Sequence, residues 1–255
     1  MPVPVLGSRP LVPKPVYVAS DVHLGAVPSG RERAFVRWLG HAGAAASEVV
    51  IDGDLFDFWF EYRTAIPRGH TRVLGALASL VDAGVPVRLV GGNHDWWGGS
   101  YLEQEVGLIL HRDPLVLDLA GRRTFLAHGD GLGRGDLGYR MLRLVLRGRA
   151  TRWAFRWLHP DVGARIATRV SATEERTGHS SEDEKRRASF LEAWAVSKLR
   201  EDPSIELVVL GHTHIPRLLE VEPGRFYVNA GDWVNHQSYV ILEPGQPPRL
   251  VEWEA

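Results

Sequence analysis

The sequence predicts an α/β fold (in the broader α+β sense) for the whole chain of 255 residues. Short apolar runs alternate with segments whose apolar residues recur at helical spacing, as in open α/β sheets. Five of these runs end in a cluster of Asp, Asn or His, and such sheets bind ligands at the carboxyl ends of their strands. A hydrophobic content of 44% and a charged content of 24% suit a globular chain with one large core. We therefore predict a single domain over 1–255.

The elements follow from the periodicity of the apolar residues in chain order. A Pro-rich, extended N-terminal segment is expected before the first strand. The first helix has Ala34, Phe35, Trp38 and Leu39 on one face, and Gly84 closes the second. The predicted helices are 31–40 and 71–83, and the predicted strands are 16–19, 49–51, 87–90, 115–119, 124–127, 207–210, 218–221, 226–229 and 239–242.

A helical, strand-poor and basic insertion is predicted at about 137–200. Ser181 and Glu184 have the spacing of a helix capping box. Between residues 139 and 170 there are eight arginines and one acid, Asp161, in a chain whose net charge is −1. A GC-rich genome or a thermophilic source explains the general preference for Arg over Lys, but it does not explain this clustering.

Five polar clusters carry the chemistry. Each alone has an ordinary structural explanation as a turn or a helix cap. Together and in order, they supply the oxygen and nitrogen ligands of two adjacent divalent cations. They are Asp21-Val22-His23, Gly53-Asp54, Gly92-Asn93-His94-Asp95, His128-Gly129-Asp130 and Gly211-His212-Thr213-His214.

The type of metal follows from the ligand atoms. The chain has no cysteine, which excludes disulfides, iron–sulfur clusters and thiolate zinc sites. A mixture of carboxylate, amide and imidazole ligands favours Mn²⁺, Fe²⁺ or Zn²⁺ over Mg²⁺ or Ca²⁺, and Mn²⁺ is our first choice. Two such ions about 3.5–4 Å apart can clamp the attacking and leaving oxygens of an in-line displacement at phosphorus.

The series of clusters resembles the pattern of the calcineurin-like metallophosphoesterase superfamily over nearly the whole chain. This resemblance implies a four-layer α-β-β-α sandwich. It implies one metal on Asp21, His23, Asp54 and His214, and a second on Asp54, Asn93, His128 and His212, so that Asp54 bridges the two. It also implies that His94 is a catalytic histidine near the leaving group or the phosphate oxygens, oriented by Asp95.

A finer resemblance is to the UDP-2,3-diacylglucosamine diphosphatases of lipid A biosynthesis. It rests on Ser20–Leu24, Gly53–Trp59, Gly231–Trp233 and the series His128-Gly129-Asp130 with Asp136 and Tyr139. His94 stands where proteobacterial members usually carry Arg. The resemblance implies hydrolysis of the substrate's pyrophosphate bond to UMP and 2,3-diacylglucosamine 1-phosphate (lipid X). It also suggests Asn93, Asp136 and Tyr139 as substrate contacts.

The insertion predicts a peripheral membrane protein. Arg140, Arg143 and Arg147 share helical spacing, and Trp153 and Trp157 lie one turn apart among further arginines. Such helices can bind an anionic membrane surface. A lid with solvated arginines is the equally weighted alternative, whereas nucleic acid is not expected as a partner. With no signal peptide and no run of 18 apolar residues, we expect a cytoplasmic protein on the inner face of the cytoplasmic membrane. The oligomeric state is left open.

Two alternatives to the lipid substrate stay open at this point. The same chemistry could act on another phosphodiester, as in a nuclease or a general phosphodiesterase. A non-catalytic membrane-binding scaffold could also retain the fold, although the presence of every ligand type argues against it.

Overall fold

The computed structural model describes residues 14–132, 144–166 and 181–254. Within these ranges the chain forms two β-sheets, each covered by helices on its outer face, which confirms the α/β class and the four layers. The helices are α1 (Ser29–Ala45), α2 (Thr71–Asp82), α3 (Ser100–Gln104), α4 (Arg149–Phe155) and α5 (Ser181–Glu201). The strands are β1 (Val16–Ala19), β2 (Glu48–Asp52), β3 (Val87–Val90), β4 (Ile109–His111), β5 (Leu115–Leu119), β6 (Arg122–Leu126), β7 (Leu207–Leu210), β8 (Arg217–Glu222), β9 (Arg225–Asn229), β10 (Ser238–Leu242) and β11 (Arg249–Glu252).

The first sheet has six strands in the order β11-β10-β1-β2-β3-β4. Strands β1 to β4 are parallel, while β10 and β11 add an antiparallel edge. The second sheet has five strands in the order β5-β6-β7-β9-β8, with β6, β7 and β9 parallel. Parallel strands bring their carboxyl ends to one edge, so both sheets present their following loops together.

Alternation along the strands builds three apolar layers. In β2, Val49 and Ile51 face helices α1 and α2, whereas Val50 faces the other sheet. The third layer packs Leu191, Ala195 and Leu199 of α5 onto the second sheet. Because side chains alternate across a strand, strands buried on both faces read as continuous apolar runs in the sequence. This explains why the central strands were predictable.

The predicted elements agree with the observed ones except at their ends and in three short pieces. Helix α1 extends from Ser29 to Ala45, beyond the predicted 31–40, and its buried face is the predicted one with Ala42 added. Elements α3, β4 and β11 were not predicted; they have five, three and four residues. Such lengths are too short to show a period.

The insertion is helical wherever it is described. Residues 144–146, α4 and residues 160–166 are helical, and α5 begins at Ser181. The side chain of Ser181 lies outside the described residues, as do Asp136, Tyr139, Arg140 and Arg143, so the capping box and the sugar contacts stay predictions. No helix in the described ranges is long and apolar enough to cross a membrane.

Candidate metal centre

The five polar clusters meet where the two sheets present the ends of their parallel strands. Backbone hydrogen bonds join the loops: the Asp21 amide donates to the Gly53 carbonyl at 3.1 Å, and the Gly211 amide donates to the His128 carbonyl at 2.9 Å. The Ser20 hydroxyl bonds the Asp52 carbonyl at 2.8 Å. The clusters therefore form one connected structure rather than five separate turns.

The backbone at this edge is held in an uncommon conformation. Of the seven non-glycine residues with positive φ in the described ranges, five are predicted metal ligands. Positive φ costs a non-glycine residue about 1–3 kcal/mol, and it persists only where the surroundings enforce it. The five are Asp21, His23, Asp54, His212 and His214, with φ between 49° and 67°.

Asp21, His23 and His214 form the first ligand group, with ligand atoms within 4.8 Å of one another. Asp21 Oδ1 lies 3.5 Å from His214 Nε2 and 4.0 Å from His23 Nε2. The other oxygen of Asp21 accepts the His212 amide at 2.9 Å. The bond to Oδ2 thus holds the Asp21 carboxylate in place, and Oδ1 faces the two histidines.

Asp54, His128 and His212 form the second group. Asp54 Oδ2 lies 3.1 Å from His128 Nε2, and Asn93 Oδ1 lies 3.2 Å from the same nitrogen. Asp54 Oδ2 is also 3.8 Å from His23 Nε2, which belongs to the first group. Asp54 therefore stands between the two groups, where a bridging carboxylate is needed.

Buried charges at the centre shift one another's proton affinity. Burial raises the pKa of Asp54, but the positive charge and hydrogen bond of His128, with further help from His94 and His23, lower it well below its usual range. Burial lowers the pKa of His214, but Asp21 and Asp232 raise it to about 9. The site thus attracts positive charge strongly.

A second set of groups orients the histidines through Nδ1. His214 Nδ1 bonds Asp232 Oδ2 at 3.1 Å, and His128 Nδ1 bonds the Asp52 carbonyl at 2.9 Å. His23 Nδ1 lies 3.5 Å from Asp57 Oδ1. Metal-binding histidines usually donate their second ring N–H in this way, which turns Nε2 towards the metal. All three Nε2 atoms face the centre accordingly.

The site passes a test for divalent cations. Asp21 Oδ1 and His23 Nε2 are buried atoms without a hydrogen-bond partner, and an unsatisfied buried polar atom is costly unless something else binds it. The donors are carboxylates, an amide and imidazoles, a set suited to borderline metals. These residues fit two cations, and the protons that the raised pKa values favour on His128 and His214 would be displaced when metal binds.

His94 lies beside the two groups, and a backbone carbonyl holds its ring. Its Nδ1 bonds the Asp57 carbonyl at 2.8 Å, and its Nε2 lies 4.0 Å from Asp54 Oδ2. The Asp95 carboxylate accepts the amides of Gly92 at 2.8 Å and Leu55 at 2.7 Å, so it closes the loop. The orientation of the His94 ring by Asp95 stays a prediction.

The insertion is attached to the same loops by Arg147. The guanidinium donates to Asp130 Oδ2 at 2.9 Å and to the Gly92 carbonyl at 3.4 Å, and it lies 4.8 Å from the ring centre of Trp96. On another side, Glu184 and Arg187 from the first turns of α5 line the cleft over the metal ligands.

The sequence did not single out every residue of this site. Asp57 lies within a string that was quoted for the resemblance, and Asp232 within another, so local signals existed for both. Nothing local marked Arg147 as the contact to Asp130, or His236 as a cleft residue. These roles depend on loops brought together by the fold.

Comparison with known proteins agrees with the geometry. The family model for calcineurin-like phosphoesterases matches residues 14–216. Three similar curated proteins are each named UDP-2,3-diacylglucosamine hydrolase. The protein of Porphyromonas gingivalis is 31% identical, covering 89% of this chain and 94% of its own length. Those of Aeromonas hydrophila and Aeromonas salmonicida are 31% and 32% identical, covering 89% of this chain and 94% and 89% of their own lengths. The chain belongs to the calcineurin-like phosphoesterase family.

Proposed function

We propose that this protein hydrolyses the pyrophosphate bond of UDP-2,3-diacylglucosamine, releasing UMP and 2,3-diacylglucosamine 1-phosphate in lipid A biosynthesis. The observation that carries the chemistry is the pair of ligand groups joined at Asp54. The substrate is supported by the names of the similar proteins and by the aromatic insertion beside the centre.

Residues of both ligand groups would hold two divalent cations, with Mn²⁺ as our first choice. Asp21, His23 and His214 would hold one, Asn93, His128 and His212 the other, and Asp54 would contact both. When bound, the cations supply a nucleophile at neutral pH and neutralise the charge on phosphoryl oxygens. The protein's part is to fix the ligands before substrate arrives, which lowers the reorganisation required during reaction.

The reaction itself is a displacement at phosphorus. The oxygen of water bonds to one phosphorus, the bridging P–O bond breaks, and the bridging oxygen leaves with the other phosphate. Since the Asp57 carbonyl holds the Nδ1 proton of His94, the imidazolium form of His94 would present an N–H at Nε2. That proton would be donated to a phosphoryl oxygen or to the leaving oxygen.

The acyl chains would lie against the insertion. Phe155 of α4 is buried, with ring centroids 4.7 Å from Phe60 and 5.0 Å from Trp97. Phe60 follows Asp57 closely in the sequence, and Trp97 follows His94, so the apolar wall formed by these rings adjoins the metal centre. Asp136 and Tyr139 remain our candidates for contacts with the sugar, together with Asn93.

The insertion would also bind the anionic inner face of the cytoplasmic membrane. Trp153 is 64% exposed and Trp157 is 76% exposed, beside the exposed Arg149 and Arg156. Exposed Trp and Arg on one short helical region suit a lipid interface. Co-sedimentation should therefore be stronger with phosphatidylglycerol vesicles than with phosphatidylcholine vesicles, and salt should weaken it.

The substrate is tested directly with purified protein and Mn²⁺. UMP release from UDP-2,3-diacylglucosamine is expected to exceed turnover of bis-p-nitrophenyl phosphate and of single-stranded DNA. Absence of UMP release with Mn²⁺, Fe²⁺, Zn²⁺ or Mg²⁺ would refute the substrate. Faster turnover of the simple diester or of DNA would favour a general phosphodiesterase or a nuclease.

A further inference from the structure

The cleft over the metal ligands extends away from residues 144–166 of the insertion, none of which lines it. Its volume is about 420 Å³, within the range of small-molecule sites. From the last helix of the insertion, α5, Glu184 and Arg187 line one side of it. Beyond the ligands and the start of α5, its wall includes Val27, Pro28, Ile215, Val234, Asn235 and His236.

One buried carboxylate connects this wall to the metal centre. Asp232 is fully buried; its Oδ2 holds His214 at 3.1 Å, and its Oδ1 holds His236 Nδ1 at 3.1 Å. The amides of Asn235 and His236 each donate to the same Oδ1 at 2.9 Å. The short segment 234–236 is thus folded around Asp232, in a fixed relation to a metal ligand.

The exposed groups of this wall have the chemistry to bind a nucleoside. The Asn235 side chain is exposed, and one of its N–H groups donates to Asp232 Oδ2 at 3.4 Å. Its second N–H and its Oδ1 provide a donor and an acceptor, which match an edge of uracil with one N–H between two carbonyls. The His236 ring is 41% exposed, and its Nδ1 is engaged by Asp232, so its outer edge is available to a ribose or phosphate oxygen. Val27, Pro28 and Val234 add apolar surface for a base or sugar face.

The two sides of the metal centre differ in polarity, as do the lipid half and the nucleoside half of a nucleotide–lipid diphosphate. Aromatic rings of Phe58, Phe60, Trp97 and Phe155 cluster on the insertion side. Amide, imidazole and small aliphatic groups line the other side, together with the charged Glu184 and Arg187 of α5. A diphosphate held at the metals must extend one half each way, and burying acyl chains against the polar wall would leave polar groups unpaired.

We infer that the wall formed by Val27, Pro28 and Val234–His236 is the subsite for the nucleoside half of the substrate, with Asn235 and His236 as its polar contacts. This inference rests on the proposed function for the identity of the nucleoside. It assigns selectivity to a segment that supplies no metal ligand.

Binding of UMP and of ribose 5-phosphate to the Mn²⁺-loaded protein, measured by calorimetry, tests this subsite. Both ligands carry the same phosphate, so the ratio of their Kd values reports the base alone. UMP should bind about tenfold more tightly, as expected for one or two added hydrogen bonds. Asn235→Ala should bring the ratio close to one, and His236→Ala should weaken both ligands. Gln246→Ala, which changes an exposed amide on another loop, should leave the wild-type ratio.

Equal affinity for the two ligands, or an unchanged ratio in Asn235→Ala, would overturn the subsite. Weaker UMP binding in Phe155→Ala than in Asn235→Ala would place the nucleoside on the insertion side instead and would also overturn it. Since the readout is binding, it is independent of turnover. A protein that prefers UMP as described but does not cleave the diacylated substrate would retain the subsite and refute the proposed lipid.

Discussion

The metal-bearing edge and the insertion are adjacent, yet they are built in opposite ways. At the edge, Asp21 and Asp54 are almost fully buried, and the ligands' strained backbone is held by hydrogen bonds from neighbouring loops. In residues 144–166 of the insertion, Trp153 and Trp157 are exposed, and the contacts to the rest of the described chain include those of Phe155 with Phe60 and of Arg147 with Asp130.

This difference suits the edge to catalysis and the insertion to binding of the lipid in the proposed function. Fixed ligands lower the cost of reorganising charge during the reaction, so a rigid edge favours catalysis. In the proposed function the insertion admits the acyl chains, and a segment with few buried contacts suits that role because it opens at low free energy. Changes at the edge should therefore reduce turnover of every phosphodiester, and changes in the insertion should reduce turnover of the lipid most.

The largest effect is expected from Asp54→Ala. Because Asp54 lies between both ligand groups, its loss should impair both cations, whose electrostatic stabilisation is worth several kcal/mol. We expect kcat/KM to fall about 10³-fold or more for any diester. Vesicle binding, measured on the same preparation, should persist and serve as the control for folding. Activity above a tenth of wild type would contradict the bridging role.

A smaller loss is expected from Asp232→Ala, which removes the partner of His214 but no ligand. Loss of such an outer partner commonly lowers metal affinity or activity by about 10- to 100-fold. Added Mn²⁺ should restore part of the activity of Asp232→Ala and none of that of Asp54→Ala. The measurement is a Mn²⁺ titration of bis-p-nitrophenyl phosphate hydrolysis, and an unchanged midpoint would exclude the positioning role.

Arg147 is the contact through which the two regions should influence each other. Arg147→Ala removes the ion pair with Asp130 and the stacking on Trp96, so the insertion should dock less firmly. We expect kcat/KM for the lipid to fall about tenfold, the equivalent of roughly 1.4 kcal/mol. The diester should change less.

Two substitutions serve as controls for Arg147. Arg147→Lys should recover only part of the loss, since an ammonium lacks the planar fork of the guanidinium. Arg156→Ala removes an exposed arginine from the same insertion and should cause a smaller loss. Equal losses for both substrates in Arg147→Ala would mean that Arg147 supports the metal loops alone.

The same comparison explains what could be predicted from the sequence. The ligands were found because each follows the end of an apolar strand by two to four residues. A short stretch of sequence therefore contains both the strand and its polar side chains. Asp57 and Asp232 act across the fold, and their partners His94 and His214 lie 37 and 18 residues away. No local sequence pattern predicts a contact between residues so far apart in the chain.

Strand order was also beyond prediction from the sequence. An apolar run such as β10 specifies that it is buried, but it does not specify which strand it will join. It pairs antiparallel with β1 from the far end of the chain. The contacts of Asp95 were likewise not predictable, because its carboxylate accepts the amides of Gly92 and of Leu55, which lies 40 residues away in the sequence.

The smallest effect on chemistry is expected from Trp153→Ala combined with Trp157→Ala. Their ring centroids lie 6.1 Å apart in an edge-to-face arrangement and both side chains are largely exposed, so their removal should leave the melting temperature and diester hydrolysis nearly unchanged. Vesicle binding should fall several-fold, because buried apolar area sets the affinity of such surfaces. Phe155→Ala is the contrasting variant: its buried ring packs on Phe60 and Trp97, so turnover of the lipid should fall even in detergent, where no membrane is needed. Unchanged vesicle binding in the double Trp variant would leave the insertion as a lid over the substrate, with its exposed aromatic rings unexplained.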